Sequence, residues 1–180
     1  IDVALFICPP SQKHPRDTKN NVRASWLKAV DALDVDEVIL CDPQTSSDVT
    51  TTNLTRGHED QALLLLEANR SNLFALKGRT LVTPPLDGRL LPGVTRGALI
   101  EYIQGHHPFN LDVIESSISR GDSIAEGQLH WDALCLVSTL KEISLVRSFK
   151  DLNGAVYPCP SSPLIASLQR GFHRFISGLS

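Results

Sequence analysis

The segment Ala62-Leu-Leu-Leu-Leu-Glu67-Ala68 constrains this chain more than any other, because four leucines run straight into a carboxylate. A short, continuous apolar run of this kind reads as a strand buried in a sheet, and it falls far short of the length needed to span a bilayer. Burying an ionised glutamate in such a strand is costly unless a partner compensates it. Either Glu67 turns to solvent at the strand end or the fold supplies something for it to hold.

Further strands are predicted at Val3–Cys8, Glu37–Cys41, Leu63–Ala68, Asn72–Leu76, Thr80–Thr83, Leu111–Ile118, Leu134–Ser138 and Ile143–Phe149, from period-two patterns and short apolar runs. Helical spacing falls between them. Val22, Trp26, Leu27, Val30 and Leu33 share one face after two capping asparagines, and Val94, Ala98, Leu99, Tyr102 and Ile103 share another before Gly105 and Pro108 end the run. Ser123-Ile-Ala-Glu126 has the form of a capping box, Asn153-Gly154 of a hairpin turn, and Ser162-Pro163 of the start of a last helix through Leu164, Leu168, Phe172 and Ile176. The expected fold is mixed α/β (α+β). Residues 42–61, rich in Thr, Ser and Asp and without periodicity, read as a surface insertion.

With 180 residues, 42% of them hydrophobic, the chain can build one well-buried core. A net charge of -3 with Lys and Arg scattered gives no footprint for nucleic acid, and no apolar run suits a membrane. Cys8, Cys41, Cys135 and Cys159 form no CxxC pair and read as reduced thiols of an intracellular protein, cytoplasmic or organellar. His58, His106, His107, His130 and His173 have no metal-ligand spacing, and no Gly-rich dinucleotide motif is present, so neither a metal nor a Rossmann site is expected. The chain starts at Ile1 and contains no Met, which reads as a trimmed or partial sequence.

Three segments carry the chemistry. In Glu67-Ala-Asn-Arg-Ser-Asn72-Leu-Phe74 the carboxylate stands five residues before the asparagine. In Leu91-Pro92-Gly93-Val94-Thr95-Arg96 a glycine precedes an apolar helical run. In Val137-Ser138-Thr139-Leu-Lys-Glu-Ile143 a small residue and a threonine close a strand. A helix N-terminus with close backbone approach offers neutral N–H donors to a dianionic phosphate. Taken in order, with Lys19 upstream, these segments resemble the class IV aminotransferases. These are the fold-type IV pyridoxal 5'-phosphate (PLP) enzymes that include branched-chain and D-amino-acid aminotransferases and aminodeoxychorismate lyase.

The resemblance implies the large domain of that family, a barrel-like mixed sheet with flanking helices over residues 1–180, with a smaller N-terminal domain absent from this chain. It implies that Lys19, rather than Lys13 before His14-Pro15, forms the Schiff base and shuttles the α-proton. Glu67 would face the ring nitrogen. Gly93, Val94, Thr95, Ser138 and Thr139 would bind the phosphate, and Asn72 and Arg96 would tie down the loops around it. The implied reaction is transamination between an amino acid and a keto acid, in a full-length form that is a homodimer. Some lyase members share the Lys-x-x-x-Arg spacing of Lys19 and Arg23, with an asparagine where this chain has Val22, so formation of p-aminobenzoate is the alternative reaction, and a diverged homologue without transaminase activity is a further reading. Where branched-chain members carry a tyrosine soon after the lysine, this chain has Val22, Arg23 and Ala24; Ala68 replaces a glycine and Leu145 a proline.

Overall fold

The computed structural model describes residues 1–7, 23–43, 63–125 and 128–178. In chain order the elements are β1 (Asp2–Ile7), α1 (Arg23–Leu33), β2 (Glu37–Pro43), β3 (Leu63–Ala68), β4 (Asn72–Lys77), β5 (Thr80–Thr83), α2 (Val94–His106), β6 (Asp112–Glu115), β7 (Ile118–Ser119), α3 (Arg120–Ser123), β8 (Ile124–Ala125), β9 (Gln128–Leu129), β10 (Ala133–Ser138), β11 (Glu142–Leu145), β12 (Ser148–Lys150), β13 (Val156–Pro158) and α4 (Pro163–Ile176). This is the mixed α/β architecture expected.

Eleven of the strands share one mixed sheet, with the path β11-β10-β4-β3-β2-β1-β12-β13. Parallel pairs join β1 to β2 and to β12, while β2–β3, β4–β10 and β10–β11 are antiparallel. The two ends of the path meet through the chain itself. Between β11 and β12 the Val146 N–H donates to the Leu134 carbonyl at 2.9 Å and the Arg147 N–H to the Ile1 carbonyl at 2.7 Å. The segment 142–150 therefore pairs first with β10 and then with β1, which closes the barrel-like sheet and leaves β13 as a flap on β12.

Side-chain alternation then sorts the apolar residues into an inside and two outsides. Val3, Ile39, Leu65, Leu73, Leu136 and Phe149 fill the interior, each at most 1% exposed. On one outer face Phe74, Leu76, Cys135 and Val137 pack under α2 and α4 through Leu99, Ile103, Leu168 and Phe172. Burying a Phe172-sized side chain contributes about 2 to 3 kcal/mol, so α4 docks on its apolar stripe rather than by helix propensity. On the other outer face Val38, Leu40, Leu64 and Leu66 are covered by Val30 and Leu33 of α1 and by Leu90 of the loop before α2.

Several sequence expectations shift at their edges. The predicted strand 111–118 is two: β6 runs parallel to β5, and the chain then changes partner so that Ile118 and Ser119 lie against Leu65 and Leu64 of β3. The strand expected at 143–149 likewise divides into β11 and β12 where it passes from β10 to β1. The capping residue of the short helix is Ser119, not Ser123. Its Oγ accepts from the Asp122 N–H at 2.9 Å and donates to the Asp122 carboxylate at 2.7 Å. Ser123 ends that helix, and its hydroxyl accepts the Trp131 indole N–H at 3.0 Å. The helix expected to stop at Gly105 runs one residue further, and His107 takes the left-handed closing position at φ 42°. Asp42 and Pro43, placed in the insertion, still belong to β2 and pair with Leu64 and Leu63. Residues 44–61 of that segment, Cys8 and Glu126 lie outside the described residues. The Asn153-Gly154 hairpin and the Ser162 cap of α4 stand as expected, the Ser162 hydroxyl accepting from the Leu164 N–H at 3.3 Å.

Candidate active site

The strands β3 and β4 form a hairpin that stays together for a single register pair, Glu67 opposite Asn72. Upstream of that pair β3 turns to β7 and β2, and downstream β4 turns to β5 and β10. Glu67 and Asn72 thus sit where the sheet forks. Glu67 is 9% exposed, so its carboxylate is held in the fold rather than turned to solvent at a strand end. Its Oε2 accepts from the Asn72 Nδ2 at 3.2 Å and from the Leu91 N–H at 3.4 Å. The compensation demanded by its burial is found in part in these two donors.

The loop 84–92 brings Leu91 to that place. Leu90 is 4% exposed in the cluster under α1, and Arg89 donates from Nε to the Asp87 carboxylate at 2.9 Å and from Nη1 to Asp42 of β2 at 3.4 Å. The Arg89 hydrogen bond holds the Asp87 carboxyl below the usual carboxylate range despite its partial burial. At the far end of the loop, Arg96 is 3% exposed and donates to the Pro84 carbonyl at 2.9 Å and to Glu115 at 2.7 Å. The loop is therefore fastened at both ends, and Asn72 and Arg96 both bond its backbone, as the sequence reading placed them.

Gly93 is the residue before α2 and has φ -67°, ψ 130°, a conformation open to any residue. What demands glycine is space: a Cβ there would lie 2.0 Å from the Asn72 Oδ1. The first intrahelical bond runs from the Gly97 N–H to the Gly93 carbonyl at 3.0 Å, which leaves the N–H groups of Val94, Thr95 and Arg96 without intrahelical acceptors. Gly93 offers no side chain to cap them. Across from this helix start, β10 and β11 are joined by a turn closed by the Ser138–Glu142 register pair. The turn places the Thr139 hydroxyl 3.1 Å from the Thr95 hydroxyl, and the Ser138 Oγ accepts the Lys141 N–H at 3.4 Å. Val94 and Leu140 flank the two threonines and are 85% and 95% exposed.

Six of the residues singled out from sequence therefore fall into two connected groups: Glu67 at the fork, and Gly93, Val94, Thr95, Ser138 and Thr139 around the helix start. Lys19 and its competitor Lys13 lie outside the described residues. Sequence reasoning missed the Leu91 N–H as a partner of Glu67, and no residue pattern encodes a backbone donor; it also missed the Arg89 anchor, which Asp87 two residues earlier could have signalled. Among the described residues no group of His, Cys, Asp and Glu could hold a metal ion, and no helix is long and apolar enough to cross a membrane.

The donor set suits a small dianion joined to a group that interacts with a carboxylate. The family described as amino-transferase class IV matches residues 18–149, and this chain belongs to it. Among solved structures, the fold is similar to a putative branched-chain amino acid aminotransferase from Thermotoga maritima, with a TM-score of 0.68 at 20% identity over 99% of this chain and 56% of that one. The branched-chain amino acid aminotransferase from Escherichia coli gives 0.63 at 21% identity over 99% of this chain and 54% of that one. A hypothetical aminotransferase from Mycobacterium tuberculosis in its PLP-bound form gives 0.66 at 17% identity over 98% of this chain and 55% of that one. The chain spans about half the length of these structures. No curated protein matches it in sequence.

Proposed function

We propose that this chain carries the PLP-binding face of a transaminase that exchanges the amino group of an amino acid with a keto acid. The observation that supports this reading most is the pairing of a buried carboxylate at the sheet fork with an uncapped helix start, joined by the short segment Leu91–Gly93. When bound, PLP supplies the electron sink that makes the substrate α-proton removable. Glu67 would hold a proton at the ring nitrogen, which keeps that sink effective. The first N–H groups of α2 and the hydroxyls of Thr95 and Thr139 would receive the phosphate, with Ser138 shaping the turn that carries Thr139. Lys19 would hold the cofactor aldehyde at Nζ and then move the α-proton.

The donor chemistry fits the group on this structure's own terms. The helix start and hydroxyls are neutral donors suited to a dianion, and an acid belongs beside a pyridine nitrogen. The experiment is a turnover assay of the full chain at saturating PLP, with an aliphatic amino acid as donor and α-ketoglutarate as acceptor. Glu67→Gln should retain cofactor binding and lose roughly a hundredfold or more in turnover, because an amide cannot hold the ring proton. Unchanged turnover in Glu67→Gln would remove Glu67 from this role. The spacing of Lys19 and Arg23 favours the lyase as second reading. That reaction proceeds without a keto-acid acceptor, so omitting α-ketoglutarate separates the two.

A further inference from the structure

We propose that Asn72 is a positioning residue that sets the distance between the acid and the phosphate end of the site, an inference that rests on the cofactor reading above. The Nδ2 group of Asn72 donates to the Glu67 Oε2 and to the Leu91 carbonyl, each at 3.2 Å. Both partners are acceptors, so the amide can face them only through its NH2, and its two hydrogens are both committed. The opposite atom, Oδ1, then lies against Gly93, where a Cβ would come within 2.0 Å. One side chain, 6% exposed, thereby touches the carboxylate, the loop that leads into α2 and the residue that precedes α2.

Glu67 lies in the sheet and Thr95 on α2, so the distance between them is set by the bonds that join the fork to the approach to α2: the Leu91 N–H to Glu67 and the two bonds of the Asn72 amide. A rigid ligand gripped at both ends gains affinity only when its two sites keep the right spacing. The second grip then acts as an intramolecular event with a high effective concentration. Asn72 supplies that spacing by fastening the fork to the helix start.

The test compares three probes on the full chain: PLP, which engages both ends; inorganic phosphate, which engages the helix start; and unphosphorylated pyridoxal, which engages the ring end. Asn72→Leu keeps the branched outline, with some added bulk, and removes both donors, and Asn72→Ala is run beside it, each checked for a cooperative melt. In both variants the affinity for PLP should fall about tenfold, while the affinities for phosphate and for pyridoxal stay within about twofold of the unsubstituted chain. A parallel loss for phosphate or for pyridoxal alone would overturn the proposal, because Asn72 would then serve one end. Undiminished PLP binding in Asn72→Leu would also overturn it while leaving the cofactor reading intact. Failure of the unsubstituted chain to bind PLP would overturn both.

Discussion

Thr95 and Thr139 come from the first turn of a helix and from the tip of a hairpin, and their hydroxyls meet at 3.1 Å. Neither element packs on the other through these residues: Thr139 is exposed, and its neighbours Val94 and Leu140 are bare. A hydroxyl pair beside the first N–H groups of a helix suits an anion, and on the proposed reading it receives the phosphate. Thr95→Val and Thr139→Val should each weaken PLP binding by roughly tenfold to a hundredfold, the value of a hydrogen bond to a charged acceptor. Binding of unphosphorylated pyridoxal should not change. Equal losses for both ligands in an equilibrium titration would assign the threonines to something other than the phosphate.

The fork at Glu67 and Asn72 was half legible in the sequence. A carboxylate after four leucines announces a need for a partner, but the five-residue step to Asn72 carries no sign that the Asn72 amide donates to it. That Gly93 is required by the Asn72 amide and not by its backbone angles depends on where β3 leaves β4, which no local pattern records. The short helix illustrates the same limit. Ser119-Arg-Gly-Asp122 and Ser123-Ile-Ala-Glu126 are both capping boxes, and tertiary contacts choose the first, with Arg120 paired to Asp151 and Ser123 taken by Trp131. Likewise the apolar alternation from Leu111 to Ile118 gives no sign that the chain exchanges β5 for β3 midway.

Arg120 and Asp151 form a bidentate pair that ties α3 to the hairpin beyond β12; one bond, Nε to Oδ1, is 2.8 Å, and the Asp151 side chain is fully buried. Burial pushes the Asp151 carboxyl up, but the Arg120 hydrogen bond, the Leu152 N–H and the Arg120 charge together outweigh it, so the carboxyl lies below its usual range. Asp151→Asn should cost about 3 kcal/mol near neutral pH, measured by chemical denaturation. For a carboxyl whose folded value is depressed, the stabilisation is complete above the unfolded value, near pH 4, and is lost as pH falls through the lower folded value. The stability gap between the unsubstituted chain and Asp151→Asn should therefore narrow only below about pH 4. A gap already closing at pH 6 would contradict this assignment.

Burial pushes the thiols of Cys41, Cys135 and Cys159 up to about 12. Thiolate is the reactive form, so alkylation by iodoacetamide at pH 8 should leave Cys41 and Cys135 unmodified in the native chain and label them fully in denaturant. Cys159, half-buried, should label slowly. Peptide mass spectrometry reads each site separately. Rapid native labelling of Cys135 would show that the face beneath α2 and α4 opens.

If Lys19 and the fork-and-helix site act together on PLP, one spectrum of the full chain with excess PLP reads it. A visible band should appear, borohydride should bleach it, and peptide mapping should place the reduced cofactor on Lys19. Lys19→Ala should show no such band, while Lys13→Ala should keep it. A band that persists in Lys19→Ala, or a reduced adduct mapped to another lysine, would contradict the account.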